Sequence, residues 1–218
     1  ESIQSLVPRV LRALPGCRVV VVDDHSPDGT GAVVREMAGR DARVELLSRP
    51  VKEGLGPAYR QALDEVRRRE APVIVTMDAD GSHDPDALPR LVARLERADL
   101  VVGSRYVAGG GVENWPVHRR WLSRYGNLYA RMVTGLPVRD CTAGFMAFQS
   151  DLLRRVDLAR IRSNGYAFLI EIKAAAFRLG ARLAEEPIRF VERTAGRSKL
   201  SGHIIREAVI GVWAIRFR

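Results

Sequence analysis

The chain has 218 residues, of which 46% are hydrophobic and 28% are charged, which is enough for one domain with its own core. No metal-binding spacing links its two cysteines, Cys17 and Cys141, so we expect reduced thiols and no disulfide scaffold. No apolar run approaches the roughly 18 residues needed to span a bilayer. The formal net charge of +9 favours polyanions, namely nucleic acid, an anionic membrane face or phosphorylated substrates, without choosing between them.

Apolar runs that end in polar clusters alternate with amphipathic stretches along the chain. Residues 19–22 form a β-branched run typical of a buried parallel strand, and a turn cluster follows at residues 26–29. The pattern predicts, in chain order, a helix at 3–14, a strand at 19–22, a helix through 37, a strand at 44–47, a helix at 54–69, a strand at 72–77, a helix at 85–95 and a strand at 100–102. This alternation predicts an α/β fold with a mostly parallel sheet.

Polar clusters follow three of the predicted strands at the point where each strand ends. They are Asp23-Asp24, Asp78-Ala79-Asp80 and Ser104-Arg105. In open α/β sheets, ligands bind beyond the carboxyl ends of the strands. We therefore expect a ligand site at this edge of the sheet.

Asp78 and Asp80 lie one residue apart, directly after the predicted strand 72–77. Two carboxylates on a short loop supply hard oxygen ligands, which suits Mg²⁺ or Mn²⁺ bound jointly by the protein and a diphosphate. The plainer interpretation is a pair of exposed turn acids, because a bare Asp-x-Asp is common.

Two other classes of protein compete for these features. An aspartyl-phosphate hydrolase would use Asp78 as nucleophile and Asp80 as acid and base, but that chemistry normally uses the first strand, and two strand units precede Asp78 here. A nucleic-acid-binding module would explain the charge. Against it, the arginines are scattered without interleaved aromatic residues, and the acidic strand ends would repel phosphate in the absence of a metal.

The segment Val-Val-Val-Asp-Asp-His-Ser-Pro-Asp-Gly-Thr at 20–30 resembles the nucleotide-binding segment of family-2 glycosyltransferases with the GT-A fold, especially dolichyl- and polyprenyl-phosphate mannose synthases. Further matching blocks follow in family order at 49–56, 78–83, 103–106, 109–111, 140–145 and 193–199. The resemblance implies one GT-A domain over residues 1–218. Relatives carry a Pro-Thr-Tyr-Asn-Glu segment before the position of Glu1, so we expect a first strand and some donor contacts to lie outside this sequence.

The resemblance also implies an activity. The enzyme would transfer mannose from GDP-mannose, with inversion, to a dolichyl or polyprenyl monophosphate and form a lipid-linked β-mannosyl phosphate. UDP-glucose or another nucleotide sugar is the alternative donor. The implied partners are the nucleotide sugar, a prenyl monophosphate in the membrane, the cytoplasmic membrane surface and a membrane anchor protein, with no nucleic acid. The implied location is peripheral, at the cytoplasmic face of a membrane.

The resemblance assigns a role to individual residues. Those implied for the nucleotide sugar are Val22, Asp24, Asp28, Lys52, Asp78, Ala79, Asp80, Ser82, Arg105, Glu192, Arg193 and Lys199. Those implied for the metal are Asp78, Asp80 and Ser82, and those for the acceptor phosphate are Arg105, Arg119 and Ser123. Those implied for catalysis are Asp80, Arg105 and Arg193.

For several of these residues a plainer interpretation stays open. Asp24 and Asp28 can simply form turns, Lys52 can be solvated, and Arg119 can lie on a solvated helix face.

Five further residues receive supporting roles in the same comparison. Asp140, Thr142 and Gly144 would shape the sugar pocket, Phe145 would lie in the core, and Glu171 would face inward behind the site. The tail at 201–218 is apolar with basic residues between, which is typical of a helix lying on a membrane surface. An ordinary final helix packed on the sheet explains the same pattern.

Overall fold

The structure is a computed structural model, and it describes residues 2–192 and 211–217 of the chain. The helices are α1 (Ser2–Ala13), α2 (Thr30–Arg40), α3 (Leu55–Val66), α4 (Leu88–Arg94), α5 (Val117–Thr134), α6 (Ser150–Arg155) and α7 (Gly165–Arg178), with 3₁₀ turns at Pro85–Ala87 and Leu158–Arg160. Residues 211–217 are also helical. The strands are β1 (Val19–Asp23), β2 (Val44–Ser48), β3 (Val73–Thr76), β4 (Leu100–Ser104), β5 (Gly111–Glu113), β6 (Met146–Gln149), β7 (Leu183–Pro187) and β8 (Arg189–Val191).

The strands form three groups in which parallel and antiparallel pairs mix. β1 pairs with β2, β4 with β7 and β5 with β8, all parallel. β6 lies between β3 and β4 and runs antiparallel to both, so the central group has the order β3-β6-β4-β7. The predicted α/β class is confirmed, and its parallel character is interrupted by β6.

The most deeply buried part of the molecule is the β4–β6 ladder with α7 packed on it. Leu100, Met146 and Phe148 are fully buried and share one cluster with Phe168 and Ile172 of α7. A helix so apolar on most of its surface must be covered on several sides, which places α7 inside the fold. Because the central strands cannot shift, the loops at their ends are held on a rigid base.

The amino ends of α3 and α7 are joined to each other. Asn164 accepts a hydrogen bond from the backbone N–H of Gly165 at the start of α7, and it also accepts one from Gly56 N in α3 at 2.8 Å. Gly54, with φ of 101°, provides the turn into α3. A side chain at Gly56 would meet the carbonyl oxygen of Ser163 at 2.6 Å, so only glycine permits this approach.

Most element ends differ from the sequence predictions by one residue, and several elements differ more. The helix predicted at 54–69 ends at Val66, the helix predicted at 85–95 begins as a 3₁₀ turn, and the strand predicted at 100–102 continues to Ser104. In the described part of the chain, no helix combines the length and the apolar character that crossing a membrane requires. Most of the predicted tail helix at 201–218 lies outside the described residues.

Candidate active site

A cavity of about 1630 Å³ opens beyond the ends of β1 and β3 and extends between these two strands, which do not pair with each other. α1 and α3 line its inner part. It is lined by most of the residues predicted for the site, namely Val22, Asp24, Lys52, Asp78, Ala79, Asp80, Ser82, Arg105, Arg119, Ser123 and Glu192. The fold thus brings together, in one cavity, candidate site residues that are up to 170 positions apart in the sequence.

Three predicted site residues are placed differently or are not described. Asp28 is absent from the cavity wall, and its carboxylate accepts hydrogen bonds from the backbone and the hydroxyl of Thr30. This is the turn geometry of the plainer interpretation. Arg193 and Lys199 lie outside the described residues.

Asp78 follows β3 and is close enough to Asp80 and Arg105 to feel the charges of both. Burial raises the pKa of its carboxyl group, and the negative charge of Asp80 raises it further. His83, whose pKa is lowered by burial, accepts a hydrogen bond from the backbone N–H of Asp78 on Nδ1. The imidazole packs against Phe145 and Phe190, with ring centroids 5.0 and 5.3 Å away. His83 therefore supports the loop from below, as a neutral side chain.

Asp80 is held at the turn that follows. The backbone N–H of Ser82 donates to Asp80 Oδ1 at 3.0 Å, and Gly81 between them has φ of 80°. Among the described residues, no group of three or more His, Cys, Asp or Glu side chains could hold a metal ion. Asp78 and Asp80, here called the carboxylate pair, place two carboxylates on one short loop at the cavity wall. This arrangement suits a hard cation that takes its remaining oxygen ligands from a bound substrate.

Asp24 is held by a buried arginine on the other side of the cavity. The guanidinium of Arg49 is ion-paired with Asp24, donates to Gln61 at 2.9 Å and pairs with Glu53 at 2.6 Å. Because Arg49 is almost fully buried, these contacts fix where the Asp24 carboxylate lies at the cavity wall.

Arg105, at the end of β4, is bound on several sides by the loop that follows residue 139. Its Nε and Nη2 donate to the two carboxylate oxygens of Asp140 at 2.7 Å each, and Nη2 also donates to Thr142 at 2.9 Å. Burial opposes both charges, but each ion stabilises the other. The pair therefore raises the pKa of Arg105 and lowers the pKa of Asp140. Asp140 is thus a partner of Arg105, and it is absent from the cavity wall.

Lys173 of α7 supports the same loop from inside the protein. Its ammonium group is fully buried and donates to the carbonyl oxygens of Cys141, Ala143 and Leu169 at 3.0, 2.7 and 3.1 Å. Burial lowers the pKa of this lysine to about 8. We call Arg105, Asp140, Thr142 and Lys173 together the arginine network.

α5 contributes the opposite wall of the cavity. Asn127 donates to Thr142 Oγ1 and accepts from the Thr142 backbone N–H, both at 3.1 Å, so the helix and the loop are joined. Ser123, one turn earlier, accepts a hydrogen bond from the Tyr106 hydroxyl at 2.6 Å. These contacts bring the predicted acceptor residue Ser123 close to the arginine network.

Trp115 lies between the two predicted phosphate-binding arginines. The guanidinium carbon of Arg119 is 4.2 Å from its ring centroid and that of Arg105 is 5.6 Å away. Arg119 is also ion-paired with Glu192. In the described part of the chain, the buried indole Nε1 of Trp115 has no hydrogen-bond partner.

Sequence reasoning missed four residues that organise this site, and two of them carried a signal. Lys173 is one of only three lysines in the chain and stands in a helix that is otherwise strongly apolar, which is where a paired, buried cation would be expected. Trp115 precedes a proline and an arginine-rich helix. Tyr59 and Asn127 had no such signal. Tyr59 is half-buried, and desolvation together with the charge of Asp78 raises the pKa of its hydroxyl.

The chain was compared with models of protein families and with curated proteins. Residues 1–157 match the model described as glycosyl transferase family 2. An undecaprenyl-phosphate mannosyltransferase of Micrococcus luteus is 46% identical over 220 residues, covering 100% of this chain and 90% of the relative. A polyprenol monophosphomannose synthase of Mycolicibacterium smegmatis is 46% identical over 222 residues, covering 100% and 84%. A dolichol-phosphate mannosyltransferase of Pyrococcus furiosus is 34% identical over 214 residues, covering 95% and 58%.

Among solved structures, the chain resembles glucosyl-3-phosphoglycerate synthase of Mycobacterium tuberculosis. The complex of that protein with Mn²⁺, uridine diphosphate and phosphoglyceric acid matches with a TM-score of 0.68 and 22% identity, covering 99% of this chain and 73% of that one. At this level of identity the likeness confirms the GT-A-like fold and carries no information about substrates.

Proposed function

The chain belongs to the family-2 glycosyltransferases, and from that premise we propose that it transfers mannose from GDP-mannose to the monophosphate of a dolichol or polyprenol. An oxygen of the prenyl phosphate forms a bond to the anomeric carbon, and GDP leaves with the electrons of the broken bond. The product is a prenyl β-mannosyl phosphate. Family membership and the names of relatives aligned over the whole chain support transfer over the hydrolase and nucleic-acid alternatives.

The observation that carries this proposal is the placement of the carboxylate pair in the same cavity as Arg105, Arg119 and Ser123. One set is acidic and suits a cation with a diphosphate, whereas the other is basic and suits a phosphate monoester. A reaction between a nucleoside diphosphate sugar and a lipid phosphate needs both sets within reach of one anomeric carbon.

We assign the cation to Asp78 and Asp80, with Ser82 as a weaker neighbour whose hydroxyl is buried behind them. An Mg²⁺ or Mn²⁺ ion bound there would neutralise the negative charge that develops on the departing diphosphate. The position of both carboxylates on one short loop at the cavity wall supports the assignment. Val22, Asp24, Lys52 and Ala79 complete the proposed nucleotide-sugar site.

The acceptor phosphate is assigned to Arg105, Arg119 and Ser123. Arg105 is held in place by Asp140, so it can orient a phosphate without losing side-chain freedom on binding. Arg119 is ion-paired with Glu192, so a bound phosphate would have to displace the Glu192 carboxylate from the Arg119 guanidinium. A phosphate monoester is already largely ionised near neutral pH, as its second pKa is about 6, so the nucleophile needs no general base. These residues therefore position and orient the acceptor.

Arg193 and Lys199 are proposed to approach the diphosphate from the segment after Glu192. Two cations there would stabilise the leaving group in addition to the carboxylate pair and its ion. This assignment rests on the family resemblance of residues 193–199.

The test is incubation of the protein with labelled GDP-mannose, Mg²⁺ or Mn²⁺, and a short-chain prenyl phosphate, followed by extraction of the lipid product. We expect label in the lipid fraction, and we expect Asp80→Asn to reduce the rate at least about a hundredfold because one of the two carboxylate ligands of the ion loses its charge. Asp151→Asn, at an exposed carboxylate paired with Arg154 on α6, is the matched control and should leave the rate unchanged. Unaltered transfer by Asp80→Asn would refute the assignment.

The donor sugar is tested in the same assay with a panel that includes UDP-glucose. If label enters the lipid from UDP-glucose and not from GDP-mannose, the proposed transferase activity stands and the proposed donor is wrong. We propose that the protein acts peripherally at the cytoplasmic face of a membrane, where a prenyl phosphate is accessible, with a membrane anchor protein as a candidate partner.

A further inference from the structure

The hydroxyl group of Tyr59 lies in the cavity wall and has no role in the proposed transfer. Tyr59 belongs to α3 and packs against the most deeply buried cluster, with its ring centroid 5.5 Å from that of Phe168. A tyrosine whose ring is packed in this way needs a hydrogen-bond partner for its hydroxyl group. The identity of that partner therefore decides what the hydroxyl group does.

Contacts on both sides of Tyr59 fix its position in α3. Gly56, three residues earlier, donates its backbone N–H to the side chain of Asn164 at 2.8 Å. Arg60, the next residue, donates from its guanidinium to the carbonyl oxygen of Ile161 at 3.1 Å. Because these contacts join α3 to the segment before α7, the Tyr59 side chain extends from a backbone that is held in place.

The Tyr59 hydroxyl group and the Asp78 carboxylate approach the same backbone position, Gly144. A Cβ atom at Gly144 would lie 2.9 Å from the Tyr59 hydroxyl oxygen and 3.4 Å from Asp78 Oδ1. A hydrogen bond joins the two side chains there. Burial raises the pKa of Asp78, and this hydrogen bond opposes the rise. Only glycine at position 144 leaves room for the contact, because any larger residue would push the hydroxyl oxygen away.

The single proton of the Tyr59 hydroxyl group has two possible acceptors. One is the carbonyl oxygen of Gly144, which is 3.5 Å away, too far for a strong O–H···O bond. That oxygen already accepts a hydrogen bond from the Thr76 hydroxyl at 2.7 Å. The other acceptor is the Asp78 carboxylate, and an ionised acceptor makes the stronger bond. The hydroxyl group of Tyr59 is therefore a donor to one member of the carboxylate pair.

We propose that Tyr59 is a positioning residue, whose hydroxyl group holds the Asp78 carboxylate in the orientation that binds the divalent cation. A carboxylate that is free to rotate loses that freedom when an ion binds, whereas one that is already hydrogen-bonded does not. The inference rests on the proposed function for the presence of a cation, but ion binding can be measured without sugar transfer.

The experiment compares the wild type with Tyr59→Phe, which keeps the ring and removes only the hydroxyl group. Mn²⁺ binding is followed by the electron paramagnetic resonance signal of free Mn²⁺, in the presence of GDP and, separately, of UDP. We expect affinity about tenfold weaker for Tyr59→Phe, the usual effect of removing the hydrogen-bond partner of a metal ligand. The matched control is Tyr125→Phe, which removes a hydroxyl group from an exposed tyrosine that is absent from the cavity wall and should bind Mn²⁺ as the wild type does.

Three further readouts separate positioning from a role in the fold. Thermal unfolding of Tyr59→Phe should match that of the wild type, because the ring contact with Phe168 is retained. The Mn²⁺ concentration that gives half the maximal transfer rate should rise about tenfold, while the rate at saturating Mn²⁺ stays within about threefold of the wild type. On an Asp78→Asn background, Tyr59→Phe should weaken Mn²⁺ binding no further, because the carboxylate it orients is gone.

Equal Mn²⁺ affinity of the wild type and Tyr59→Phe would overturn the inference, and so would a further loss of affinity on the Asp78→Asn background. A rate that excess Mn²⁺ does not restore would mean that Tyr59 acts on another step. A large fall in the unfolding temperature would mean that the hydroxyl group supports the fold, and in both cases the inference is wrong. If Mn²⁺ binding depends on Tyr59 but no nucleotide sugar is a donor, the proposed function alone is overturned.

Discussion

The two sides of the cavity hold their charges in opposite ways. In the arginine network, Arg105 and Asp140 are ion-paired, and Lys173 donates three hydrogen bonds to nearby carbonyl oxygens. In the carboxylate pair, Asp78 lies beside a second negative charge, and burial together with the charge of Asp80 raises the pKa of Asp78. The first region is electrostatically complete without a ligand. The second region holds two neighbouring carboxylates, and their negative charge is what the proposed divalent cation would balance.

This difference predicts opposite effects of removing a charge on the two sides. In the arginine network, loss of one charge leaves its partner buried and uncompensated, so stability should fall. In the carboxylate pair, loss of one charge removes repulsion, so stability should hold while activity falls. The following changes test the contrast, in order of expected size.

The largest effect is expected for Asp140→Asn. This change leaves the buried guanidinium of Arg105 without its counter-ion and should lower the free energy of unfolding by about 3–5 kcal/mol. Chemical denaturation followed by circular dichroism measures it. Asp99→Asn, in a more exposed pair with Arg182, is the control and should cost no more than about 1 kcal/mol. Equal costs for the two variants would mean that the network is not preorganised.

Lys173→Met should have the next largest effect. Methionine fills similar space but leaves the carbonyl oxygens of Cys141 and Ala143 without their donor. We expect the free energy of unfolding to fall by about 1–3 kcal/mol. The fall is limited because the change also removes a buried charge, which is itself costly to bury. Denaturation of the variant checks this value. A variant as stable as the wild type at pH 7 would show that the ammonium does not hold the loop.

The stability difference between wild type and Lys173→Met should also depend on pH. The folded pKa of Lys173 is about 8, below the ordinary lysine value of 10.5. Between these values the unfolded chain binds more protons than the folded one, so the wild type gains stability relative to the variant as pH rises. The difference in free energy of unfolding between wild type and variant should widen by up to about 1.4 kcal/mol per pH unit. Unfolding of both proteins at pH 8 and pH 9 measures it, and a gap that narrows contradicts the lowered pKa.

The smallest change in stability is expected for Asp78→Asn. The amide removes one of two neighbouring negative charges on a side chain that is 40% exposed, so the free energy of unfolding should change little, while transfer falls sharply. Thermal unfolding and the lipid-extraction assay give the two readings. A stability loss comparable to that of Asp140→Asn would erase the distinction between the two regions.

The sequence predicted where the candidate site residues lie in the fold better than it predicted which residues they contact. Asp78, Asp80 and Arg105 could be placed because each follows an apolar run whose end defines the sheet edge. The pairing of Arg105 with Asp140 could not be predicted, because the two residues are 35 positions apart and Asp140 lies on a loop without regular structure. β6 was missed as well, since Met146–Gln149 is a short apolar run and periodicity does not distinguish such a strand from a buried helix segment.

The central claim is that Asp78 and Asp80 bind the divalent cation used in sugar transfer. Its most direct test is Mn²⁺ binding, followed by the electron paramagnetic resonance signal of free Mn²⁺, in the presence of GDP-mannose. We predict saturable binding by the wild type and affinity at least about tenfold weaker for Asp80→Asn, since one of two protein ligands loses its charge. Equal affinity of the two proteins, or transfer that continues undiminished in EDTA, would contradict the claim.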